Sequence, residues 1–329
     1  MSLNHAQTEA VAHNEGPCMV LAGPCSGKTL TIAKRIEYLI MKHKVRPEEI
    51  LVITFTKYAA NEMKERTRRI CGPSSYAVTF GTFHGIYYGI LKWAYRLNPS
   101  NLLTDEEKYR MLREILPKVE WDQEPETDEE KDYLQELAVE IGNIKNNCVD
   151  IETYEPVKYT TEKFRALYRT YEEAKKKCRK IDFEDMLVQC RELFLKRSDV
   201  LKKWQDKFRY ILVDEFQDVN QAQYDVVRML AAPQDNLFVV GDDDQSVYGF
   251  RGAKPGIMME FMKDYPKAKQ ILLDINYRSS GYIVKGALRV IENNKIRFQK
   301  KIEAFQKADE TVHIQEVKDP VQEAEYVLE

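Results

Sequence analysis

The sequence has few residues of the kinds that stabilise secreted proteins or bind metals. Its 329 residues include six cysteines and five histidines, with no Cys-x-x-Cys pair and no histidines at metal-ligand spacing. This scarcity excludes a disulfide-stapled scaffold, argues against a zinc or iron–sulfur centre, and predicts reduced thiols in a cytoplasmic protein. No apolar run is long enough to cross a bilayer and no signal-peptide pattern is present, so we expect no membrane partner.

An excess of positive charge is also missing. Lysine and arginine total 50 and aspartate and glutamate 53, which gives a net charge of −3. A protein that coats nucleic acid carries a broad basic surface, so a nucleic-acid site in this chain would have to be a local groove. The hydrophobic content of 43% is enough for two or three domains with their own cores.

The most informative segment combines small residues with Gly-Lys-Thr. It runs from Ala22 to Thr29, after a short apolar run and before apolar residues at helical spacing. A strand, a small-residue loop and a helix form a phosphate cradle, because the backbone N–H groups of the loop and the helix N-terminus face the phosphates. Lys28 is expected to reach the β- and γ-phosphates, and the Thr29 hydroxyl to hold Mg²⁺. The expected phosphate-loop contacts are Ala22, Gly23, Pro24, Cys25, Ser26, Gly27, Lys28 and Thr29.

Short apolar runs recur along the chain, and most of them are followed by a helical pattern. This alternation predicts an α/β fold in which a parallel sheet is flanked by helices. The predicted strands are Met19–Leu21, Ile50–Thr54, Tyr76–Phe80, Tyr210–Val213, Leu237–Val240 and Ile271–Leu273.

The alternation breaks in a charged, nearly strand-free block from about residue 98 to residue 180. Thr104 with Glu107, and Thr127 with Glu130, have the spacing of capping boxes that open helices. We therefore predict an all-helical insertion within the α/β domain. One helix of this block is expected to bury an apolar face made by Phe164, Leu167, Tyr168, Tyr171 and Ala174.

Two acidic residues follow the predicted strand Tyr210–Val213. At the C-terminal edge of the sheet, Asp214 can anchor Mg²⁺, and Glu215 can orient and deprotonate an attacking water. Two acids after an apolar strand are usually a solvated strand end. The upstream phosphate loop makes a catalytic role the favoured interpretation.

A third segment runs from Val239 to Ala253 and joins a strand to acids, an amide and aromatic rings. Gln245 can hydrogen-bond a γ-phosphate or the attacking water. Tyr248, Phe250 and Arg251 are a stacking and phosphate-binding set of the kind that single-stranded nucleic acid uses. For each ring taken alone, ordinary core packing is the alternative.

Together these segments resemble, in order and spacing, the motifs of the UvrD/PcrA/Rep group of superfamily 1 DNA helicases. The resemblance covers essentially the whole chain, and Asp-Glu-Phe-Gln-Asp together with Gly-Asp-Asp-Asp-Gln-Ser-Val-Tyr is highly specific. The segments that carry it are Leu3-Asn4 with Gln7, Ala22–Thr29, Thr54–Thr56, Ala59-Ala60, Glu62-Met63, Gly81–His84, Asp182–Leu187, Asp214–Asp218, Gly241–Ala253 and Asn276–Ser279.

The resemblance implies an ATP-dependent DNA helicase or translocase with a RecA-like fold. Such a protein moves 3′ to 5′ on single-stranded DNA in DNA repair or replication. The implied cofactors are ATP and Mg²⁺, and the implied partners are single-stranded DNA and duplex junctions. The implied domains are a motor domain at residues 1–97 and 181–274, the helical insertion at 98–180, and the start of a second motor domain at 275–329.

The resemblance also implies roles for individual residues. Gln7 matches the family's adenine reader, Tyr277 the aromatic that stacks on the base, and Arg278 the arginine finger that reaches the γ-phosphate. A satisfied, partly buried histidine is the alternative for His84. The expected catalytic residues are Lys28, Glu215, Gln245 and Arg278, and the expected DNA contacts are Phe55, Thr82, His84, Tyr248, Phe250 and Arg251.

Several positions depart from the family pattern. Cys25 stands where glycine is usual in the family, and Leu30 replaces an arginine that packs on the adenine; Ala22 departs only from the general phosphate-loop pattern, which has glycine at its first position. Lys57-Tyr58 replaces Asn-Lys, and Phe250 replaces tryptophan. None of these changes removes a residue needed for chemistry, but the loss of the arginine predicts weaker binding of the base.

The last residues predict a strand at Thr311–Val317 and a helix opened by Asp319-Pro320. The apolar pattern of this helix has no stop signal, and the later family motifs, including a second arginine, have no counterpart. We therefore expect the chain to be the N-terminal part of a longer protein, and in isolation to bind nucleotide but hydrolyse it poorly. Two other interpretations stay open: a helicase subunit of a helicase–nuclease complex, and a nucleotide- and DNA-binding module that does not turn over.

Overall fold

The computed structural model describes residues 3–119, 121, 130–247, 249, 253–254, 256–306 and 313–328. The chain divides into two compact units, Met1–Ala22 with Gly27–Leu273, and Gly23–Ser26 with Asp274–Glu329. Within the described ranges, no helix combines the length and the apolar character that a membrane crossing needs.

The first unit is built on a six-stranded sheet. Its strands are β1 (Cys18–Ala22), β2 (Ile50–Thr54), β3 (Thr79–Thr82), β4 (Tyr210–Val213), β5 (Leu237–Gly241) and β6 (Lys269–Leu273). They lie in the order β3-β2-β4-β5-β1-β6, and neighbouring strands pair in parallel. β1, β2, β4 and β5 are buried along their whole length, as expected of parallel strands covered on both faces. The predicted α/β class and parallel RecA-like sheet are confirmed.

Helices alternate with these strands and supply the rest of the core. On α2, Ile32, Ile36 and Leu39 recur every three or four residues and are buried in one cluster with Val20 and Val240 of the sheet. The helices of the first unit are α1 (His5–Ala12), α2 (Lys28–Met41), α3 (Lys57–Cys71), α4 (Phe83–Tyr95), α5 (Asp105–Ile115), α6 (Glu130–Asn146), α7 (Thr161–Cys178), α8 (Phe183–Lys196), α9 (Ser198–Lys207), α10 (Gln221–Ala231) and α11 (Gly256–Asp264).

The strand predicted at Tyr76–Phe80 is misplaced. A short 3₁₀ turn occupies Gly72–Ser75, and β3 begins only at Thr79. The Tyr76 N–H donates to the carbonyl of Pro73 (3.1 Å), and the Val78 N–H donates to that of Ser75 (3.1 Å). These donors are used by the turn, so they are not available to a sheet ladder.

The block between β3 and β4 is helical, as predicted, and has its own core. Phe164, Leu167 and Tyr171 of α7 are fully buried against apolar residues of α5 and α6. The capping box at α5 is confirmed, because Thr104 Oγ1 accepts the Glu107 N–H (3.2 Å) and Glu107 accepts the Thr104 N–H (3.0 Å). Thr127, of the second predicted box, lies outside the described residues. The boundaries at residues 98 and 180 stay predictions.

A buried ionic cluster joins α6 and α7 to the start of α8. This junction cluster consists of Lys145, Glu172, Lys175, Asp182 and Asp185. Each lysine Nζ lies between 2.5 and 2.9 Å from all three carboxylates. Asp182 also caps α8, since its Oδ1 accepts the Asp185 N–H (2.8 Å). The cluster therefore fixes the helical block to the chain that returns towards the sheet.

The second unit contains a two-stranded parallel sheet, β7 (Ile275–Ser280) with β8 (Glu303–Gln306), and the helices α12 (Gly281–Ile291) and α13 (Pro320–Leu328). The predicted cap of α13 is confirmed, because Asp319 Oδ1 accepts the Val321 N–H (2.9 Å). Of the strand predicted at Thr311–Val317, the first two residues lie outside the described part of the chain. Residues 313–317 are not in a strand, and Ile314 is 94% exposed, so no burial favours one.

Candidate functional site

The predicted phosphate loop joins the end of β1 to the start of α2. Gly27 precedes α2 with a positive φ of 87°, a conformation that glycine adopts without the steric cost of a side chain. A Cβ atom at Gly27 would also lie 2.7 Å from the side-chain nitrogen of Gln7. Lys28 and Thr29 form the first turn of α2, where backbone N–H groups have no partner within the helix. This arrangement suits an anion.

Gln7 lies beside Gly27 and is only 3% exposed. Its backbone N–H donates to Asn4 Oδ1 (2.7 Å), and its side-chain Oε1 accepts the Asn4 N–H (3.0 Å). This reciprocal cap opens α1 and holds the Gln7 amide with its nitrogen towards Gly27. The predicted adenine reader thus lies next to the helix that carries Lys28. Its role in reading the base stays a prediction.

Three acidic side chains follow the end of β4. Asp214, Glu215 and Asp218, together with Lys28, are called the edge cluster. Lys28 Nζ lies 3.1 Å from Glu215 Oε2. The Asp214 N–H continues the sheet by donating to the Ile53 carbonyl (2.9 Å), and a positive φ of 50° at Glu215 then turns the chain sharply. The predicted phosphate-binding lysine and the predicted base are therefore in ion-pair contact.

The acids of the edge cluster are short of positive charge. Burial and the charge of Glu215 raise the pKa of Asp214 to about 6, although Lys28 opposes the shift. The same two causes raise the pKa of Asp218 to about 6. A divalent cation would favour the ionised forms. Carboxylate oxygens such as those of Asp214 and hydroxyl oxygens such as that of Thr29 are ligands that Mg²⁺ prefers. The residues therefore fit a magnesium site.

A buried glutamine connects the edge cluster to the end of β5. Gln217 is 2% exposed, and its Nε2 donates to Glu215 Oε2 (2.8 Å). Its Oε1 accepts the Asp242 N–H (2.9 Å), and Asp242 Oδ2 accepts from Nε2 of the predicted Gln245 (2.6 Å). No role for Gln217 or Asp242 follows from the motif pattern. The sequence feature that could have indicated a role is the position of the Gln217 amide between Glu215 and Asp218, because buried carboxylate oxygens need hydrogen-bond donors.

A groove of about 450 Å³ lies between the sheet edge and α6. It brings together Phe55 and His84, two of the predicted DNA contacts. The ring of Phe183, which is 56% exposed, lies 4.7 Å from the His84 ring. Burial lowers the pKa of His84 to about 4, with Glu184 opposing the shift. The imidazole is therefore neutral near pH 7 and can both donate and accept a hydrogen bond. The groove is lined by Phe55, Phe83, His84, Gln135, Val139, Gly142, Asn143, Asn146, Phe183, Glu184, Asp218, Asn220 and Gln223.

Of the remaining predicted DNA contacts, only Thr82 lies among the described residues. Thr82 ends β3 and caps α4, because its Oγ1 accepts the Gly85 N–H (3.1 Å), and it is not among the groove-lining residues. Tyr248, Phe250 and Arg251 lie outside the described residues.

Tyr277 and Arg278 lie on β7 in the second unit. The Tyr277 ring is 5.3 Å from the Phe305 ring, and its N–H donates to the Cys25 carbonyl (3.2 Å), which belongs to the same unit. Cys25 has a positive φ of 55°, a conformation that costs a side chain more than it costs glycine. Arg278 is exposed, and its backbone N–H donates to Asn276 Oδ1 (3.0 Å).

Comparisons with known proteins agree with these motifs. The family model of the UvrD/REP helicase N-terminal domain matches residues 3–266. A putative ATP-dependent DNA helicase, YjcD of Bacillus subtilis, is 41% identical over 92% of this chain and 40% of its own length. The ATP-dependent DNA helicase PcrA of Staphylococcus aureus is 35% identical over 99% of this chain and 45% of its own.

The PcrA protein of Bacillus subtilis is 38% identical over 91% of this chain and 41% of its own length. The chain thus spans less than half the length of these curated relatives.

Proposed function

The chain belongs to the UvrD/REP helicase N-terminal domain family, and on that premise we propose that it is an ATP-hydrolysing motor of a DNA helicase. The observation that carries the proposal is the contact between Lys28 Nζ and Glu215 Oε2 at 3.1 Å. It joins a phosphate-binding cation at a helix N-terminus to a general base. Both lie at the carboxyl edge of a parallel sheet, where α/β proteins bind nucleotides.

ATP is the nucleotide that we propose, with its triphosphate on residues 22–29. Lys28 then exchanges its contact with Glu215 for the β- and γ-phosphates. Thr29 and Asp214 would hold Mg²⁺, which neutralises phosphate charge when it is bound. Gln7 is proposed to pair with the adenine edge. For Tyr277 we keep the role that the resemblance implies, stacking on the base.

Hydrolysis needs a base, an oriented water and charge stabilisation. We assign the base to Glu215, which accepts a proton as the water oxygen attacks the γ-phosphorus and ADP leaves. Gln245 is assigned to the γ-phosphate or the water. Lys28 compensates the charge on the phosphates, and Arg278 keeps the role of arginine finger that the resemblance implies.

Single-stranded DNA is the proposed occupant of the groove beside α6. The rings of Phe55, His84 and Phe183 line it and offer faces on which bases can stack, and stacking tolerates any base sequence. For Tyr248 and Phe250 we propose stacking on bases, as the sequence predicts. For Thr82 and Arg251 we propose the predicted contacts with DNA. A local groove of this kind agrees with the net charge of −3.

The finer features are proposals of the same kind. They are the motor domain at residues 1–97 and 181–274, the helical insertion at 98–180, and the start of a second motor domain at 275–329. Movement 3′ to 5′, preference for duplex junctions, and a role in repair or replication come from the family resemblance.

The decisive experiment measures ATP hydrolysis by the complete gene product with Mg²⁺, with and without single-stranded DNA. Binding of a fluorescent ATP analogue is measured in parallel, for the gene product and for the 329-residue chain. Hydrolysis that single-stranded DNA stimulates, and unwinding of a duplex with a 3′ tail but not a 5′ tail, are the expected results.

Other results separate the alternatives. Nucleotide binding without hydrolysis, even with DNA, would favour a binding module. Failure to bind ATP with Mg²⁺ would remove the nucleotide site. Efficient DNA-stimulated hydrolysis by the 329-residue chain alone would contradict the expectation that this chain hydrolyses ATP poorly.

A further inference from the structure

We propose that Gln217 is a positioning residue that holds the Glu215 carboxylate and joins it to the segment from Asp242 to Ser246. This role rests on the proposed function, because it assumes that Glu215 acts on the water that attacks ATP. Gln217 itself touches neither reacting atom. Its effect on hydrolysis is exerted through Glu215.

The contacts of Gln217 fix the orientation of its amide. An amide nitrogen only donates and an amide oxygen only accepts. Nε2 lies 2.8 Å from Glu215 Oε2 and 3.3 Å from Asp218 Oδ2, while Oε1 accepts the Asp242 N–H at 2.9 Å. Exchanging the two atoms would place oxygen against two carboxylates and nitrogen against an N–H. The amide therefore has one allowed orientation.

The surrounding structure leaves the glutamine little freedom. Gln217 is 2% exposed. A Cβ atom at Gly241, the last residue of β5, would lie 2.8 Å from Gln217 Oε1 and 3.1 Å from its backbone nitrogen. The absence of a side chain at Gly241 thus lets the two segments approach closely. A side chain confined in this way can hold a partner carboxylate in one position.

Gln217 and Lys28 contact the same oxygen of Glu215. Lys28 Nζ is 3.1 Å from Oε2 and Gln217 Nε2 is 2.8 Å from it. When Lys28 turns to phosphate, the amide is the contact that stays with the carboxylate. Gln217 can therefore keep Glu215 in place during the step in which the base is needed.

Gln217 also contacts the segment from Asp242 to Ser246 and one residue that lines the groove. Its Oε1 accepts the Asp242 N–H, Asp242 Oδ2 accepts from Gln245 Nε2 (2.6 Å), and the Gln217 carbonyl accepts from Ser246 Oγ (3.3 Å). Its Nε2 also reaches Asp218, which lines the groove. A shift of Asp218 when the groove fills would be transmitted to Glu215 through the Gln217 amide. Gln217 is thus placed to make the rate of hydrolysis depend on occupation of the groove.

The test compares two substitutions in the complete gene product. Gln217→Met keeps the length of the side chain and removes both the amide donor to Glu215 and the amide acceptor for the Asp242 N–H. Gln217→Glu keeps the acceptor for the Asp242 N–H but puts a carboxylate against Glu215 and Asp218. Both variants are expected to lower the DNA-stimulated kcat by about 10- to 100-fold, less than complete loss of a base, because the base remains but is misplaced. KM for ATP should stay within about threefold.

Gln205→Met is the matched control. Gln205 lies on α9, and its Nε2 donates to the Met229 carbonyl (2.8 Å), so the same chemical change is made away from the edge cluster. Melting temperatures and ATP affinity of all variants are measured together. The control removes a side-chain hydrogen bond outside the edge cluster and should keep its kcat, whatever its loss of stability.

A double-mutant cycle with Glu215→Gln separates positioning from general damage. If Gln217 acts through Glu215, adding Gln217→Met to Glu215→Gln should change the residual rate by less than about twofold. Additive losses, or losses that follow the melting temperature, would show a merely structural role and overturn the inference.

Two further outcomes are also decisive. Wild-type kcat in Gln217→Glu would show that the bond to Glu215 is not needed, and the inference would fail while the proposed function stands. A wild-type protein that hydrolyses no ATP with DNA present would overturn both.

Discussion

Two clusters of buried charge lie in the first unit, and they differ in the balance of positive and negative groups. The junction cluster has two lysines for three carboxylates, and each carboxylate contacts both lysines. The edge cluster has one lysine for three carboxylates, and that lysine contacts Glu215. Both clusters join residues far apart in sequence, but the excess of carboxylates over lysines is larger in the edge cluster.

The pKa values follow this balance only in part. In the junction cluster, burial opposes ionisation of Asp182, but Lys145 and Lys175 hold its pKa well below the ordinary value. The pKa of Asp185 in the same cluster is raised, by burial and by the charge of Asp182, although both lysines oppose the shift. In the edge cluster, burial and Glu215 raise the pKa of Asp214 to about 6. Carboxylates that already have ammonium partners leave no room for a metal, although those of the junction cluster have ligand spacing. The larger excess of carboxylates in the edge cluster is the charge difference that supports the proposed Mg²⁺ there.

The substitution expected to separate the two clusters most clearly removes the proposed base, Glu215, alone. Glu215→Gln keeps the shape of the side chain and should lower the rate of ATP hydrolysis by about 10²–10⁴-fold, with ATP affinity near that of the wild type. The measurement is single-turnover hydrolysis with a parallel binding titration. Glu192→Gln, on an exposed pair of α8, is the control. Wild-type hydrolysis in Glu215→Gln would mean that the base lies elsewhere.

Breaking the junction cluster should affect stability rather than chemistry. Lys175→Met leaves buried carboxylates with one lysine, and loss of one partner from a buried ion network typically costs about 3–5 kcal/mol. Urea unfolding of the chain measures the change, and ATP affinity per folded molecule should not alter. Lys202→Met, which removes an exposed pair with Asp206, should change the unfolding free energy by less than about 1 kcal/mol. Equal effects of the two substitutions would refute the assigned role of the cluster.

Removing Lys28, the single lysine of the edge cluster, tests whether its positive charge is needed for ATP binding and hydrolysis. Lys28→Ala should weaken ATP binding or hydrolysis at least tenfold, since a charge-assisted contact contributes about 1.5–3 kcal/mol. Affinity for ATP with Mg²⁺ and the hydrolysis rate are both measured. Lys34→Ala, further along α2 in a half-buried pair with Glu37, is the control. Unchanged binding and hydrolysis in Lys28→Ala would remove the phosphate site.

The features predicted correctly from the sequence are those that depend on residues close together in the chain. The run before Ala22, the Gly-Lys-Thr segment, and the cap formed by Asp319 each depend on residues a few positions apart. The misplaced strand at Tyr76–Phe80 is instructive, because its apolar residues fit a strand while a turn opened near Pro73 uses the backbone donors. Local propensity was overridden there by turn geometry.

Contacts between distant residues are what the sequence could not supply. The pairing of Lys28 with Glu215 joins residues 187 positions apart, and the sequence suggested that they meet only through the motifs in which each of them lies. Nothing local marks the contacts of Gln217 with Asp242, or those of Lys145 with Asp182. A buried polar residue acquires its partner from the folded topology, and its role becomes visible only when the partner is known.

The smallest expected effect concerns His84. Burial lowers the pKa of its imidazole from 6.5 to about 4, and the charge of Glu184 opposes this shift. The unfolded chain thus binds the proton first as the pH falls. Stability from this group is therefore complete above about pH 6.5 and is lost between there and pH 4. From pH 7.5 to pH 5.5 the wild type should lose about 1 kcal/mol more unfolding free energy than His84→Asn. Urea titrations of both proteins at the two pH values measure the difference, and the other titrating groups cancel because both proteins contain them. Parallel losses would mean that the folded groove leaves the pKa of His84 at its unfolded value, and that burial does not hold the imidazole neutral.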